Sequence, residues 1–250
     1  MKNSFTGLFF LLLAWVIASL LLPLSKWLLP DVFGVLHALN GMLWSGELPF
    51  HLYQTLLRVM GGVAISILIG VPLGLLLSLS GRLGKAVMPV LDFFRSIPIA
   101  MLFPAFIILF GIGEFARTLM VLYLGLPIIL VSVYIGASER IEVRGRRQYL
   151  RVHQKQISPF IRWVSLLWDA LPAVVAGTKF TISVGVVVII VSEMFFVSSA
   201  GLGWAAYQAY NSFNISKMYA FVLVAGLLGY IANLVFDGII AWLERQDSHA

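Results

Sequence analysis

Long apolar runs separated by short polar connectors make up most of this 250-residue chain. A helix needs about 20 mainly apolar residues to cross a bilayer, and six stretches reach that length. They predict helices over residues 5–24, 55–80, 87–113, 118–137, 177–199 and 217–243. The pattern therefore predicts an all-α polytopic membrane protein, with six transmembrane helices in a single domain over residues 1–250.

The first run is interpreted as a retained helix rather than a cleaved signal peptide. Lys2 is the only basic residue before it, and its apolar stretch is longer than a typical signal core. No small-x-small cleavage pattern stands out before Pro23. The segment over residues 25–52 then forms a loop outside the cell, partly at the membrane interface.

Composition excludes most soluble classes. Hydrophobic residues make up 60% of the chain and charged residues 11%, against roughly 25% charged residues in soluble domains. There is no cysteine, and the four histidines are scattered singly, which argues against disulfides and metal clusters. We therefore expect no catalytic, cofactor or metal site, and a transport protein rather than an enzyme.

The positions of Lys and Arg predict the orientation of the chain. If the N-terminus lies inside, eleven of these residues fall in inside segments and three fall outside. Basic residues concentrate on the cytoplasmic side of membrane proteins, so both termini are predicted to be cytoplasmic. This asymmetry also explains the net charge of +6 without nucleic-acid binding.

The second predicted helix contains two glycines at a small-xxx-small spacing. Gly70 and Gly74 are four residues apart, which lets helix backbones approach closely in a membrane. Close packing is favoured over a moving hinge. Pro72 lies between them and favours a kink.

The third predicted helix carries charges and prolines. Asp92 and Arg95 are three residues apart and can share one face. A structural ion pair near the cytoplasmic interface is favoured over direct solute contact. Pro98 and Pro104 are expected to break helical bonding, and broken helices occur where they line a cavity. The helix is therefore a candidate for the pathway or its gate.

Two further acidic residues lie in predicted spans. Glu193, followed by Met194, is near the outer end of the fifth helix, where solvation is expected. An intramembrane Glu is a functional-site candidate, and a structural hydrogen-bonding role is an equal alternative. Asp237 lies near the inner end of the sixth helix and is expected to reach the interface.

A long basic loop is predicted inside the cell over residues 138–176. Within it, Ser158 and Pro159 predict the start of a helix that ends before Pro172. The loop is either a positive-inside signal touching anionic lipid or a docking surface for a cytoplasmic subunit, and its length favours docking. The candidate docking residues are Arg144, Gly145, Arg146, Arg147, Tyr149, Leu150, Arg151, Lys155 and Gln156. The chain has no phosphate-binding loop motif, so ATP hydrolysis would need a separate chain.

Several motifs resemble the membrane subunits of binding-protein-dependent ABC importers. They cover the region from about residue 53 to residue 243, and the resemblance is closest to the branch serving nitrate, sulfonates, taurine and thiamine-precursor pyrimidines. The motifs are Thr55-Leu-Leu-Arg58-Val-Met-Gly-Gly62, Gly70-Val-Pro-Leu-Gly74, Pro89-Val-Leu-Asp-Phe-Phe-Arg95-Ser-Ile-Pro98, Pro104-Ala-Phe-Ile-Ile-Leu-Phe-Gly111-Ile-Gly113, Ser192-Glu193-Met194 and Ser199-Ala-Gly201-Leu-Gly203.

The resemblance implies a type I importer permease fold and a set of partners. It implies a second permease copy or a paralogue, a cytoplasmic ABC ATPase, a periplasmic or lipid-tethered solute-binding protein, and a place in the bacterial inner membrane. One segment departs from the family. The family's coupling loop carries Glu-Ala-Ala, and at 148–152 this chain has Gln-Tyr-Leu-Arg-Val. A divergent subunit of a heterodimer and a dedicated ATPase would each fit this departure.

Three alternatives remain from the sequence. An ion-gradient-driven secondary transporter would show repeats and midplane ion-coupling groups, of which Glu193 is the one good candidate. A membrane-embedded enzyme would need clustered His, Asp or Glu near one membrane face. A non-transporting scaffold subunit would fit the divergent loop.

Overall fold

The computed structural model of the chain describes residues 7, 10, 13–19, 29–143, 159–196 and 200–247. Within these ranges the regular elements are helices, which confirms the all-helical prediction there. In chain order the main ones are α1 (Val32–Trp44), α2 (Glu47–Leu79), α3 (Gly81–Ser96), α4 (Ile99–Phe110), α5 (Glu114–Val143), α6 (Pro159–Phe195), α7 (Leu202–Asn211) and α8 (Ile215–Asp247).

Four of the described helices, α2, α5, α6 and α8, are long and apolar enough to cross a membrane. The pair α3 and α4 meets the same test when taken together, with a 91° bend between the two helices. The described residues therefore supply four spans, or five if the bent pair counts as one. The first predicted run is described mainly through residues 13–19, which are helical.

Two predicted boundaries in the first half are wrong. The second helix begins at Glu47, eight residues before the predicted start at 55. Pro49 is tolerated there because the first backbone N–H groups of a helix have no partner within it. The third predicted helix, 87–113, is two helices that begin at Gly81 and break at Ile97 and Pro98. A residue before proline disfavours helical backbone, and Ile97 is extended.

The role predicted for Pro104 is also wrong, because α4 runs through it without a break. Pro172 was predicted to end a separate helix in the cytoplasmic loop, and α6 continues through it from Pro159 to Phe195. Neighbouring helices and side chains can satisfy the backbone group that a proline frees in a membrane helix. The segment that joins α5 and α6 is therefore shorter than the predicted loop 138–176.

One compact unit comprises Met1–Thr55 and Glu193–Leu228. Its buried core joins α1, α7 and α8, through Val35, Leu202 and Phe221 among others. The first of these helices is capped by the Asp31 carboxylate, which accepts a hydrogen bond from the Gly34 N–H at 2.9 Å. An ion pair of 2.7 Å joins Lys217 to Glu47.

The other unit comprises Leu56–Ser192 and Gly229–Ala250, and it contains the whole of α5. In α2, a Cβ added to Gly70 would lie 3.1 Å from Ile129 Cγ2, and one added to Gly74 would lie 2.8 Å from Leu130 O. Gly70 and Gly74 therefore mark a close contact between two helices that run in the same direction. Small residues at such contacts let backbones approach in a membrane.

Glycines also allow a close approach between α5 and α6. A Cβ at Gly125 would lie 2.6 Å from Thr181 Cγ2, and one at Gly177 would lie 2.9 Å from Ser132 Oγ. The later residue of α5 thus faces the earlier residue of α6, so these two helices are antiparallel. This register fixes how far along α5 the polar groups of α6 lie.

Candidate functional site

An ion pair lies beside the break between α3 and α4. Arg95 Nη2 donates to Asp92 Oδ1 at 2.7 Å, as the three-residue spacing predicts. The Arg95 side chain is 39% exposed and the Asp92 side chain 58% exposed. Both charged groups are therefore accessible at the surface of the chain.

The position of this pair along the protein follows from a contact with α5. The Tyr123 hydroxyl donates to the carbonyl of Phe94 at 2.9 Å. Tyr123 is nine residues after Glu114, the first residue of α5, and therefore about 14 Å along that helix. The pair therefore lies beside the body of α5 rather than its first turn, and the prediction of a position near the cytoplasmic interface stays a prediction.

Charges at that position are costly in lipid and usually face protein or water. The bend next to them has a structural cause, because the Ile97–Pro98 step leaves the helical conformation. A broken helix within a membrane is tolerated where it is buried in protein or lines a water-filled cavity. The described part of the chain thus brings Asp92, Arg95 and Pro98 together at the break. Pro104 lies further on, inside α4.

A second charged cluster was missed by the sequence reasoning. Glu114 accepts from Arg58 Nε at 2.6 Å and from Arg58 Nη2 at 2.7 Å, and it accepts from Arg117 Nη1 at 2.7 Å. Both arginines are buried, and Glu114 is mostly exposed. This bidentate pairing fixes α2 against the start of α5. The available signal was an acidic residue directly after Gly113, at a helix start where an acid is favourable.

Glu193 is the centre of a buried hydrogen-bond network in the unit that contains α7. Its side chain is 0% exposed. The Thr55 hydroxyl lies 3.0 Å from both of its carboxylate oxygens. The Gly203 N–H donates to Glu193 Oε2 at 2.9 Å. A buried carboxylate is stabilised here by donors that would otherwise lack partners.

Three successive backbone donors at the start of α7 are satisfied by this network. The Leu202 N–H donates to Thr55 Oγ1 at 2.9 Å, and the Gly201 N–H donates to His51 Nδ1 at 3.1 Å. A helix N-terminus also favours negative charge, which suits Glu193. Gly201 has φ +120°, and a Cβ there would overlap the Glu193 carboxyl group. Glycine is therefore required at this position.

The predicted solvation of Glu193 is wrong, because the side chain is fully buried. Of the two roles that the sequence allowed, the geometry supports the structural one, in which Glu193 caps α7. Met194 follows it with a side chain at the surface. The nine candidate docking residues between 144 and 156 lie outside the described residues.

Comparisons with known proteins show what the chain is similar to. No protein-family model matches it. The taurine transport system permease protein of Escherichia coli K12 is 25% identical over 231 residues, covering 88% of this chain and 80% of that protein. The formylaminopyrimidine transport permease protein of Halalkalibacterium halodurans C-125 is 27% identical over 259 residues, covering 98% and 100%.

A solved structure shows the same fold. An inward-facing form of the MetNI methionine ABC transporter aligns with a TM-score of 0.65 at 24% identity, covering 81% of this chain and 98% of that one. The chain is thus similar over most of its length to permease subunits of ABC transporters, and its apolar helices indicate a multi-pass membrane protein. The prediction of a transport subunit rather than an enzyme is confirmed by the same relatives.

Proposed function

We propose that this chain forms the solute pathway of an ABC importer, within a permease dimer completed by a second copy or a paralogue. The solute is a small anion, a sulfonate or a heterocyclic precursor. The observation that carries this proposal is the alignment with a pyrimidine-precursor permease over 98% of this chain. The taurine permease, which aligns over 88% of it, supports the sulfonate alternative.

The proposed topology has six spans with both termini in the cytoplasm of a bacterial cell, in the inner membrane. The four long helices, the bent pair α3 and α4, and the first apolar run supply the six spans. The excess of Lys and Arg in the proposed inside segments supports the orientation. In this orientation the Arg58–Glu114 cluster lies near the outer side.

The proposed pathway passes the bend between α3 and α4. Asp92 and Arg95 line it, and Pro98 keeps the bend open by removing a backbone donor. The exposure of this ion pair within the length of α5 supports the proposal. Glu193 acts indirectly, by fixing the start of α7, and Met194 is retained as a pathway candidate on the exposed side.

Coupling to a cytoplasmic ATPase is proposed for the segment that joins α5 to α6. Both helices are longer than the roughly 30 Å of a bilayer core requires, at 30 and 37 residues. Their extra turns at the proposed cytoplasmic side would extend toward an ATPase. A solute-binding protein would deliver the solute from the outside. The divergent sequence at 148–152 fits either a dedicated ATPase or a standard permease as partner.

Affinity purification of the tagged chain from its native membrane, followed by mass spectrometry, tests this function. We expect an ATPase with a phosphate-binding loop to be recovered, with or without a second permease. Robust expression with no ATPase at any stoichiometry would contradict the importer proposal and favour a gradient-driven carrier or a scaffold. Crosslinks that place residues 144–156 away from the recovered ATPase would contradict the docking role alone.

A further inference from the structure

Two polar contacts between side chains connect α6 and α8 within the unit that contains α5. Lys179 Nζ forms an ion pair with Asp237 Oδ1. One turn further along α6, Ser183 Oγ donates to Asn233 Oδ1 at 3.1 Å. The two residues that each helix contributes are four positions apart and therefore lie on one face of that helix. We call Lys179, Ser183, Asn233 and Asp237 the polar seam.

The register of α5 and α6 places this seam far from the helix ends. Gly177 faces Ser132, and Thr181 faces Gly125, so Lys179 lies level with the residues between them. These positions are about 17 to 27 Å along α5, a helix of about 45 Å. The seam therefore lies level with the middle of α5, inside its apolar stretch Glu114–Ser138.

The seam is open to its surroundings at this depth. The Asp237 side chain is 58% exposed and the Lys179 side chain is 28% exposed. An exposed carboxylate in hydrocarbon is costly, so this face is expected to meet water or protein. Ile231 lies two residues before Asn233, on a different face of the same helix, and its exposed apolar side chain suits lipid. The face of α8 that carries Asn233 and Asp237 is therefore the one expected to meet water or protein.

The chemistry of the seam selects a type of solute. It combines one ammonium and one carboxylate, with an amide and a hydroxyl beside them. A bare anion that paired with Lys179 would face the like charge of Asp237, and such a juxtaposition is repulsive. A solute with separated positive and negative groups meets an opposite charge at each end. The seam therefore favours a zwitterion over an anion.

We propose that the polar seam lines the solute pathway and contacts a small zwitterionic solute. Its anionic group meets Lys179 and its cationic group meets Asp237. This proposal rests on the proposed import function and narrows its solute class. The main competing arrangement is a second permease copy that covers the seam. Labelling of the seam by a water-soluble reagent distinguishes a seam that lines the pathway from a seam that is covered.

The absence of native cysteine makes single-cysteine labelling a clean test. The purified complex is reconstituted in lipid nanodiscs with Asn233→Cys, or with Ile231→Cys as the lipid-facing control. Both are treated with a water-soluble methanethiosulfonate. We expect labelling of the first and not of the second. Two probes matched in size then compete with the reagent: 2-aminoethanesulfonate, a zwitterion, and ethanesulfonate, a bare anion.

A zwitterion at about nine times its dissociation constant should slow labelling about tenfold by mass action. Ethanesulfonate should leave the rate unchanged at the same concentration. Adding Lys179→Gln and Asp237→Asn to the Asn233→Cys variant should keep the labelling and remove the protection. This readout separates solute contact from a purely structural ion pair, and the thermal unfolding midpoint reports any loss of folding.

Three outcomes would overturn the proposal. Unlabelled Asn233→Cys in a complex that retains its ATPase would place the seam in a protein or lipid contact and leave the proposed function standing. Equal protection by both probes, or protection by neither, would remove the preference for a zwitterion. Protection that survives the double substitution would remove Lys179 and Asp237 from the contact. Failure to recover any ATPase would overturn the import function itself.

Discussion

Glu193 and Asp92 are both acidic residues of apolar helices, and their surroundings are opposite. Glu193 is completely buried, and its carboxylate accepts hydrogen bonds from the Thr55 hydroxyl and the Gly203 N–H. Asp92 is mostly exposed, and its partner is the guanidinium of Arg95. The first residue holds the start of a helix. The second lies beside a break between helices.

The difference shows how a charge within a membrane helix can be interpreted. A buried carboxylate that satisfies backbone donors stabilises the fold, since removing it leaves those donors without a partner. An exposed ion pair contributes little to stability, because surface pairs are worth about 0 to 1 kcal/mol. In the proposed function, its presence at a costly position reflects a role in the pathway. Substitutions in the two regions should therefore separate stability from transport.

The largest effect is expected for Gly201→Ala. The φ of +120° strains any other residue, at a cost of about 1 to 3 kcal/mol, and the new Cβ would also overlap the Glu193 carboxyl group. We expect loss of most folded protein from membranes, measured as monodisperse yield in mild detergent. Gly226→Ala is the matched control, because nothing lies within 4 Å of its Cβ position. Equal yields would contradict the described network.

The next effect is expected for Glu193→Ala. It leaves the Gly203 N–H and the Thr55 hydroxyl without this acceptor, at about 1 to 3 kcal/mol for each buried group. The thermal unfolding midpoint should fall clearly. Glu193→Gln should lower it less, because the amide oxygen still accepts. An unchanged midpoint combined with lost transport would instead make Glu193 a pathway residue.

A smaller loss is expected for Gly74→Ala in the other unit. Its Cβ would lie 2.8 Å from Leu130 O, and overpacking of this kind costs about 1 to 3 kcal/mol. Unfolding midpoints of the purified chain measure the loss. Gly61→Ala in the same helix has free space and should be neutral or slightly stabilising. A midpoint that does not distinguish the two would argue against close packing of α2 on α5.

The smallest effect on stability is expected for Arg95→Gln. The pair is exposed, so the free energy of unfolding should change by no more than about 0.5 kcal/mol. Solute-stimulated ATP hydrolysis by the complex should fall strongly. Arg82→Gln, exposed near the other end of α3, is the control and should keep activity. Full activity of Arg95→Gln would remove this pair from the pathway.

Local spacing allowed several of these features to be predicted. The apolar runs gave the helical class, and the spacing of Gly70 and Gly74 agrees with the close contact seen between α2 and α5. The Asp92–Arg95 pair lies within one turn of a helix, so the sequence alone indicates it. Each of these inferences needs only residues that are near one another in the chain.

The features that were missed depend on distant residues. Thr55 is 138 positions from Glu193, so no local pattern shows that the carboxylate is buried. Arg58 and Glu114 are 56 positions apart, so no local pattern pairs them. Pro104 and Pro172 are read as helix breakers from propensity. Packing in long membrane helices overrides that propensity and keeps both inside continuous helices.

Water access to the bend tests the central claim most directly. The complex is held in a bilayer with Ser96→Cys, which lies beside the exposed ion pair, or with Ile108→Cys, where the apolar Ile108 is 83% exposed. Labelling by a membrane-impermeant maleimide should be rapid at the first position and negligible at the second. The reverse order, or no labelling of Ser96→Cys, would show that the charges at the bend do not line an aqueous pathway.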